Sequence, residues 1–250
     1  MENGLVKSEQ NEPNENWAIQ LSESSLCPAH LKKKPKDILY TIQLGNELSI
    51  PTTVAINSIY VIGDKPTLGV HLYKSLALRG GVTWKILKNA EPVYRWSDST
   101  GNSYLKEELD ADDTFKTFPF SITKLPNGFT EKIAPQFADK ILVFRSEKPI
   151  DYITQIEFKR KVQGEVMIHT QEYRLKDAIT AGLAGEGGSN PNWQKRPKNM
   201  ISARCFTEGI RNIAPDTVMG MYHKDEILDT LGKDYTAEDI SDIVNSEVVN

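Results

Sequence analysis

Three cations surround Pro197 in the stretch NWQKRPKNMISARCFTEGIR, residues 192–211. They are Lys195, Arg196 and Lys198, and a proline at a first helical position predicts that a helix begins here. Positive charge at a helix N-terminus costs roughly 0.3–1 kcal/mol per residue, because the helix dipole is already positive at that end. A bound anion removes this cost, and the free backbone amides of a helix start favour phosphate. This stretch therefore predicts an anion-binding site.

A second basic cluster, Lys159, Arg160 and Lys161, lies near the end of a predicted β-hairpin. Phe158 and Trp193 stand next to the two clusters and could supply stacking surfaces for unpaired nucleic-acid bases. Trp193 has an alternative role, as a core residue that fixes the start of the helix. Each cluster taken alone also fits an ordinary solvated surface.

The helix that begins at Pro197 is predicted to end before Pro215. Its apolar residues recur at spacings of three and four, which predicts one face turned to the core. These residues are Met200, Ala203, Phe206, Ile210 and Ile213. Arg204 and Arg211 fall within about 20° of each other on another face, with Glu208 nearby. Two basic clusters flanking such a helix favour a nucleic-acid groove over isolated surface charge.

Signatures of enzymes are weak in this chain. Residues 182–189, GLAGEGGS, lack the Lys and Ser/Thr that a nucleotide-binding loop places after its last glycine. Asp151, Glu157 and Lys159 resemble the carboxylates and lysine of metal nucleases. On one strand, however, a separation of six positions places the two acids about 20 Å apart, too far to share a metal ion. The four histidines also lack metal-binding spacing, so we expect no catalytic residue, metal or cofactor.

The composition is that of a soluble globular protein, with 39% hydrophobic and 26% charged residues among 250. The two cysteines, Cys27 and Cys205, do not suggest a disulfide framework, and a reducing compartment fits them better. Neither a signal peptide nor an apolar stretch of about 20 residues is evident, which predicts a cytoplasmic protein without membrane contact.

The charge of the chain is distributed unevenly. Residues 32–90 contain nine Lys and Arg against three Asp and Glu, and residues 158–222 contain ten against six. Residues 1–31, 91–157 and 223–250 are each acidic, so the total is −4. Local patches set the field that a ligand meets, and the two basic blocks remain compatible with nucleic acid.

The predicted organisation is a disordered acidic tail over residues 1–31, a core over 32–231 and a second acidic tail over 232–250. Residues 97–135 are acidic and rich in turn residues, and we expect an irregular insertion there. Helices are predicted over 36–51, 71–81 and 197–214. The other core segments alternate as antiparallel strands do, with hairpins turning near Gly63-Asp64 and Gln163-Gly164. The expected fold is α+β, an antiparallel sheet with a β-hairpin and a long helix packed across it.

Two motifs carry a resemblance to a known family. The segment W-Q-x-x-P-K-x-M-I, residues 193–201, is followed by Arg204, Arg211 and G-M-Y-H-K-D-E, residues 220–226. These resemble the core of phage single-strand annealing proteins of the RecT/Redβ superfamily. The upstream segments GNELSIP and GDKPTLGVHLYKSLALRGG are similar to the hairpin and helix of the same family, and the likeness spans roughly residues 36–96 and 140–231.

The resemblance implies a non-enzymatic protein that binds single-stranded DNA and pairs complementary strands without ATP. It implies assembly into rings or helical filaments in the bacterial host cytoplasm, with a phage exonuclease and a host single-strand binding protein as potential partners. The positions that match the family's DNA-contacting residues are Lys198, Arg204 and Arg211, with Lys159 to Lys161 aligned less securely. Arg204 stands where the family has lysine, a change that retains phosphate pairing.

Two other functions stay open on the residues themselves. One is a metal-dependent exonuclease built on Asp151, Glu157 and Lys159. The other is a non-catalytic interaction protein whose basic clusters bind an acidic partner.

Overall fold

The computed structural model of the protein describes residues 14–62, 65–118, 139–185 and 190–231. The predicted C-terminal tail, 232–250, lies outside these ranges. Within them the chain forms a mixed α+β fold in which a long helix packs across an antiparallel sheet, as the sequence predicted at this level of detail.

The chain begins with helical elements that pack against one another. They are α1 (Glu15–Glu23), a 3-10 turn (Ala29–Leu31), α2 (Pro35–Glu47) and α3 (Thr52–Ser58). Ala18 of α1, Cys27 and Leu31 are buried together with apolar residues of α2 and α3. The expectation of disorder over residues 1–31 therefore does not hold for residues 15–31, while residues 1–13 lie outside the described ranges. A few well-spaced apolar residues anchor this segment despite its acidic composition.

A small three-stranded sheet follows, of order β1-β2-β10, with β1 (Ile59–Ile62), β2 (Lys65–Leu68) and β10 (Tyr222–His223). Strands β1 and β2 pair antiparallel, as the predicted hairpin requires; its turn, residues 63–64, is outside the described ranges. Helix α4 (Val70–Arg79) comes next, and its C-cap is Gly80, close to the predicted boundary.

The main sheet is antiparallel with order β3-β8-β9: β3 (Val82–Val93), β8 (Asp151–Val162) and β9 (Glu165–Arg174). The hairpin between β8 and β9 turns at Gln163 and Gly164, both at positive φ, which confirms the predicted turn. Strand β3 carries two irregularities in its pairing with β8, between Ile86 and Lys88 and between Lys88 and Glu91.

The segment expected to be irregular, 97–135, is more regular than predicted as far as it is described. It contributes to a second sheet of order β5-β4-β7-β6, formed by β4 (Trp96–Asp98), β5 (Ser103–Tyr104), β6 (Phe115–Phe118) and β7 (Ile141–Arg145). Helix α5 (Lys106–Ala111) lies between β5 and β6. The turn-rich composition reflects the shortness of these strands, and residues 119–138 are outside the described ranges.

The remaining helices close the core: α6 (Leu175–Thr180), α7 (Asn192–Lys195), α8 (Pro197–Ile213), α9 (Pro215–Val218) and α10 (Lys224–Leu231). Helix α8 lies across all three strands of the main sheet. Gly209 permits this approach, because a Cβ there would lie 2.1 Å from Cε2 of Phe158 on β8.

The predicted apolar face of α8 is confirmed at Met200, Phe206, Ile210 and Ile213, whereas Ala203 is only partly buried. Four further residues, Ile201, Cys205, Thr207 and Gly209, are also buried. The helix thus buries a wider arc than the sequence indicated, because the sheet covers one side and other helices cover the next. In the described parts of the chain, none of the helices combines the length and apolarity needed to cross a membrane.

Candidate functional site

Lys195, Arg196 and Lys198 form an exposed group around the start of α8, which we call the basic rim. None of the three has a carboxylate partner within the described residues. The Lys198 ammonium lies 5.0 Å from the ring centroid of Tyr152, a contact that positions the lysine without neutralising its charge. No side chain caps the N-terminus of α8. The rim therefore keeps its full positive charge and faces solvent.

A cleft of about 400 Å³ opens beside the rim. Strands β3 and β8 contribute Trp84 and Thr154, helix α8 contributes Asn199 and Ser202, and Arg196 of the rim lines it as well. Ser202 Oγ donates to Oδ1 of Asn89 at 3.2 Å and lies 3.3 Å from Oγ1 of Thr154. Lys74 of α4 adds a further cation, 5.4 Å from the ring centroid of Phe206. The cleft is thus lined by aromatic, carboxamide and cationic groups.

Arg204 and Arg211 share a face of α8, as predicted, but this face is covered by α10. Arg204 binds Asp229 through Nη2 and lies 3.7 Å from Glu226, and Arg211 binds the other oxygen of Glu226. The Arg204 side chain is 12% exposed and that of Asp229 1%. Two guanidinium groups and two carboxylates therefore form a buried ion cluster between α8 and α10.

The electrostatics of this cluster reflect its burial. Desolvation raises the pKa of Asp229 above its ordinary value, although Arg204 and the hydrogen bonds from Trp193 and Asn190 act in the opposite direction. Burial tends to lower the pKa of Arg211, but the charge and hydrogen bond of Glu226, together with Tyr73 and Glu208, outweigh it and the pKa is raised. In this conformation both arginines are committed to contacts within the protein.

Trp193 belongs to the same cluster. Its Nε1 donates to Oδ1 of Asp229 at 2.9 Å, and the residue is 2% exposed. The indole packs against the ring of Tyr173, with 6.5 Å between centroids. The structure thus gives Trp193 the core position that anchors α7 to α10, and the ring offers no accessible face for stacking on a base.

The hairpin cations are placed on two different faces of the main sheet. Arg160 points to the α8 side, where it donates to both carboxylate oxygens of Asp216 at 2.5 and 2.6 Å and to the carbonyl of Gly80. Because successive side chains of a strand alternate, Lys159 and Lys161 lie on the opposite face. Lys159 also pairs with Glu157 at 2.9 Å.

The hairpin tip is also distant from the rim along β8. Lys198 contacts Tyr152, nine residues before Lys161, and nine extended residues span about 30 Å. The structure therefore does not bring the predicted cations into one groove. It separates them into the basic rim, the buried ion cluster and the hairpin.

The carboxylates of the nuclease pattern have structural roles. Oδ1 of Asp151 accepts from the backbone amides of Tyr152 and Lys176, at 2.8 and 3.0 Å, and so holds the start of α6 against β8. Glu157 is engaged by Lys159. Across the described residues, no three His, Cys, Asp or Glu side chains come together as a metal site.

Sequence reasoning missed the partners of the two arginines and most of the cleft. Glu226 and Asp229 are three residues apart in a short helix, and this spacing signals one acidic face that could pair with the Arg204 face. Trp84 and Asn89 carry no comparable signal, since only the tertiary fold brings β3 next to α8.

No protein-family model, no curated protein and no solved structure matches this chain.

Proposed function

We propose that this protein binds single-stranded DNA through the phosphate backbone and pairs complementary strands without ATP. The observation that carries the proposal is the basic rim: Lys195, Arg196 and Lys198 are exposed, lie around one helix start and have no carboxylate partner in the described part of the chain. A phosphate there would offset the unfavourable interaction of these cations with the helix dipole.

The mechanism is non-covalent. Phosphate contacts at the rim hold a strand without reading its sequence, because backbone contacts carry no base information. Bases of the bound strand that remain accessible are then tested by pairing with a second strand. Binding of this kind weakens as salt rises, since it depends on the release of counterions from the strand.

The resemblance of residues 193–201 and 220–226 to RecT/Redβ annealing proteins supports the same proposal. Of the three positions that match the family's DNA-contacting residues, Lys198 is free to meet a phosphate. Arg204 and Arg211 bind Glu226 and Asp229, so direct DNA contact by them requires α10 to move away. Assembly into rings or filaments, and work alongside a phage exonuclease and a host single-strand binding protein, extend the proposal through the same resemblance.

A strand-pairing assay tests the proposal. Two complementary oligonucleotides, one with a fluorophore and one with a quencher, are mixed with the protein in a buffer without ATP or magnesium. We expect quenching to be faster than in the protein-free control, and an unchanged rate would contradict the proposal. The exonuclease alternative is tested by adding magnesium and an end-labelled duplex to the same protein. Only a nuclease would shorten the labelled strand.

A further inference from the structure

The cleft beside the basic rim has the size and lining of a ligand site rather than of a packing gap. Its volume of about 400 Å³ falls within the range of about 300–1,000 Å³ common for small-molecule sites. Its lining combines apolar and aromatic side chains with polar and charged ones, and Arg196 belongs both to the cleft and to the rim.

An aromatic pair forms part of the wall. Trp84 on β3 is only partly buried, and its ring meets that of Phe206 edge to face, with 4.9 Å between centroids at 82°. This contact fixes the indole in place. An indole that lines a cleft offers a flat surface on which a planar heterocycle can stack.

Carboxamide groups surround this aromatic surface. The side chains of Asn192 and Asn199 line the cleft and have no hydrogen-bond partner among the described residues. Asn89 accepts from Ser202 through Oδ1, which leaves its NH₂ group to donate. Carboxamides pair with the donor and acceptor edges of nucleobases, so the polar lining suits a base.

The charged groups of the cleft orient such a ligand. Lys74 and Lys224 line the cleft, and Arg196 is an exposed cation that joins it to the rim at the start of α8. Asp225 lines the cleft from α10, 3.6 Å from His223. A phosphate attached to the bound base is therefore favoured beside Arg196 and repelled by Asp225.

From these features we infer that the cleft binds one nucleotide unit of a single DNA strand, with its base against Trp84 and its phosphate against Arg196. This inference rests on the proposed function. It adds that each protomer removes one base from the strand's stack, while the neighbouring bases remain accessible for pairing.

The test compares a twelve-residue thymidine oligonucleotide with an abasic strand of the same length, which keeps every phosphate and lacks every base. Fluorescence anisotropy with the full chain gives both affinities. We expect the abasic strand to bind about fivefold to 150-fold more weakly, the range for losing one base–aromatic stack.

Two variants assign that difference to the cleft. Asn199→Ala removes an exposed side chain without a protein partner and should weaken the thymidine strand about five- to tenfold, while leaving the abasic strand unchanged. Gln194→Ala is the matched control, because Gln194 is an exposed carboxamide of α7 that does not line the cleft. It should leave both affinities unchanged.

Each outcome decides between the two proposals. Equal affinity of the wild-type protein for the two strands, or an Asn199→Ala variant that binds both like the wild type, overturns the nucleotide cleft and leaves strand binding at the rim intact. If the wild-type protein binds neither strand, the proposed function itself is contradicted. A final outcome is displacement of the oligonucleotide by thymidine 5′-monophosphate at concentrations below the oligonucleotide's dissociation constant. That result would identify a free nucleotide as the ligand and overturn the assignment to a strand.

Discussion

Replacing Arg204 with alanine should cost about 3–5 kcal/mol of folding free energy, the range for breaking a buried ion pair from one side. The guanidinium is 12% exposed and binds Asp229, whose side chain is 1% exposed and also accepts from Trp193. Without the arginine, the buried Asp229 loses the cation that it binds, whereas Glu226 keeps its contact with Arg211. The cost therefore comes from uncompensated charge in the contact between α8 and α10.

Urea unfolding followed by tryptophan fluorescence measures this cost. With a denaturant slope of about 2 kcal/mol/M, the loss corresponds to a midpoint lowered by about 1.5–2.5 M. Lys198→Ala is the matched control on the same helix, because Lys198 is exposed and its ammonium lies over the ring of Tyr152. Its cost should stay below about 1 kcal/mol. The double variant Arg204→Met/Asp229→Asn should recover part of the stability, since it removes both charges.

A free energy of unfolding for Arg204→Ala within about 0.5 kcal/mol of that for Lys198→Ala would contradict a closed ion cluster. That result would mean that the ion cluster is open in solution. Arg204 would then be available for the phosphate contact that the sequence predicts. The two variants also separate the roles in binding: Lys198→Ala should weaken DNA affinity while it retains stability.

Three further predictions concern packing, thiol chemistry and the acidic tail. Gly209→Ala should destabilise the protein by about 1–3 kcal/mol in urea unfolding, because the new methyl group would clash with the Phe158 ring. The cost should be smaller in a Phe158→Leu background, and equal costs in both backgrounds would exclude the clash. Cys27 and Cys205 are buried, and burial raises the pKa of both thiols, that of Cys205 to about 12. Native protein at pH 8 should therefore not react with a thiol reagent that modifies both residues in urea. Rapid labelling without denaturant would show that these regions open. Removing residues 233–250, with five acidic residues and one basic, should strengthen oligonucleotide binding at low salt and less so at high salt, whereas weaker binding would assign the tail a helpful contact.

The elements that the sequence predicted well are those with a local signal. Helix α8 is bracketed by Pro197 and Pro215 and has a regular apolar spacing, and the β8–β9 hairpin combines alternating residues with a turn at Gly164. Helix α1 was missed because its acidic composition outweighs a few apolar residues. Ala18 becomes a buried core residue only when α2 packs against α1, and the local sequence does not reveal this contact.

The site was predictable in part. Charge at a helix start is a local feature, so the basic rim could be predicted from Pro197 and its neighbours in the sequence. The environment of Arg204 could not, because its partners come from a helix more than 20 residues later in the chain. The cleft forms only where several elements distant in the chain meet, and Trp84 on β3 stands more than 100 residues before Asn199 on α8.

The central claim is that the basic rim binds the backbone of a single strand. Its most direct measurement is the salt dependence of oligonucleotide affinity for the wild type and for the triple variant Lys195→Ala/Arg196→Ala/Lys198→Ala. Each phosphate contact contributes about 0.7 to the slope of log K against log salt for single strands, so the variant should lose about 2 units of slope. A control variant with alanine at three exposed lysines outside the rim, Lys36, Lys140 and Lys148, removes the same charge and should keep the slope of the wild type. Equal slopes for the wild type and the rim variant would contradict the claim.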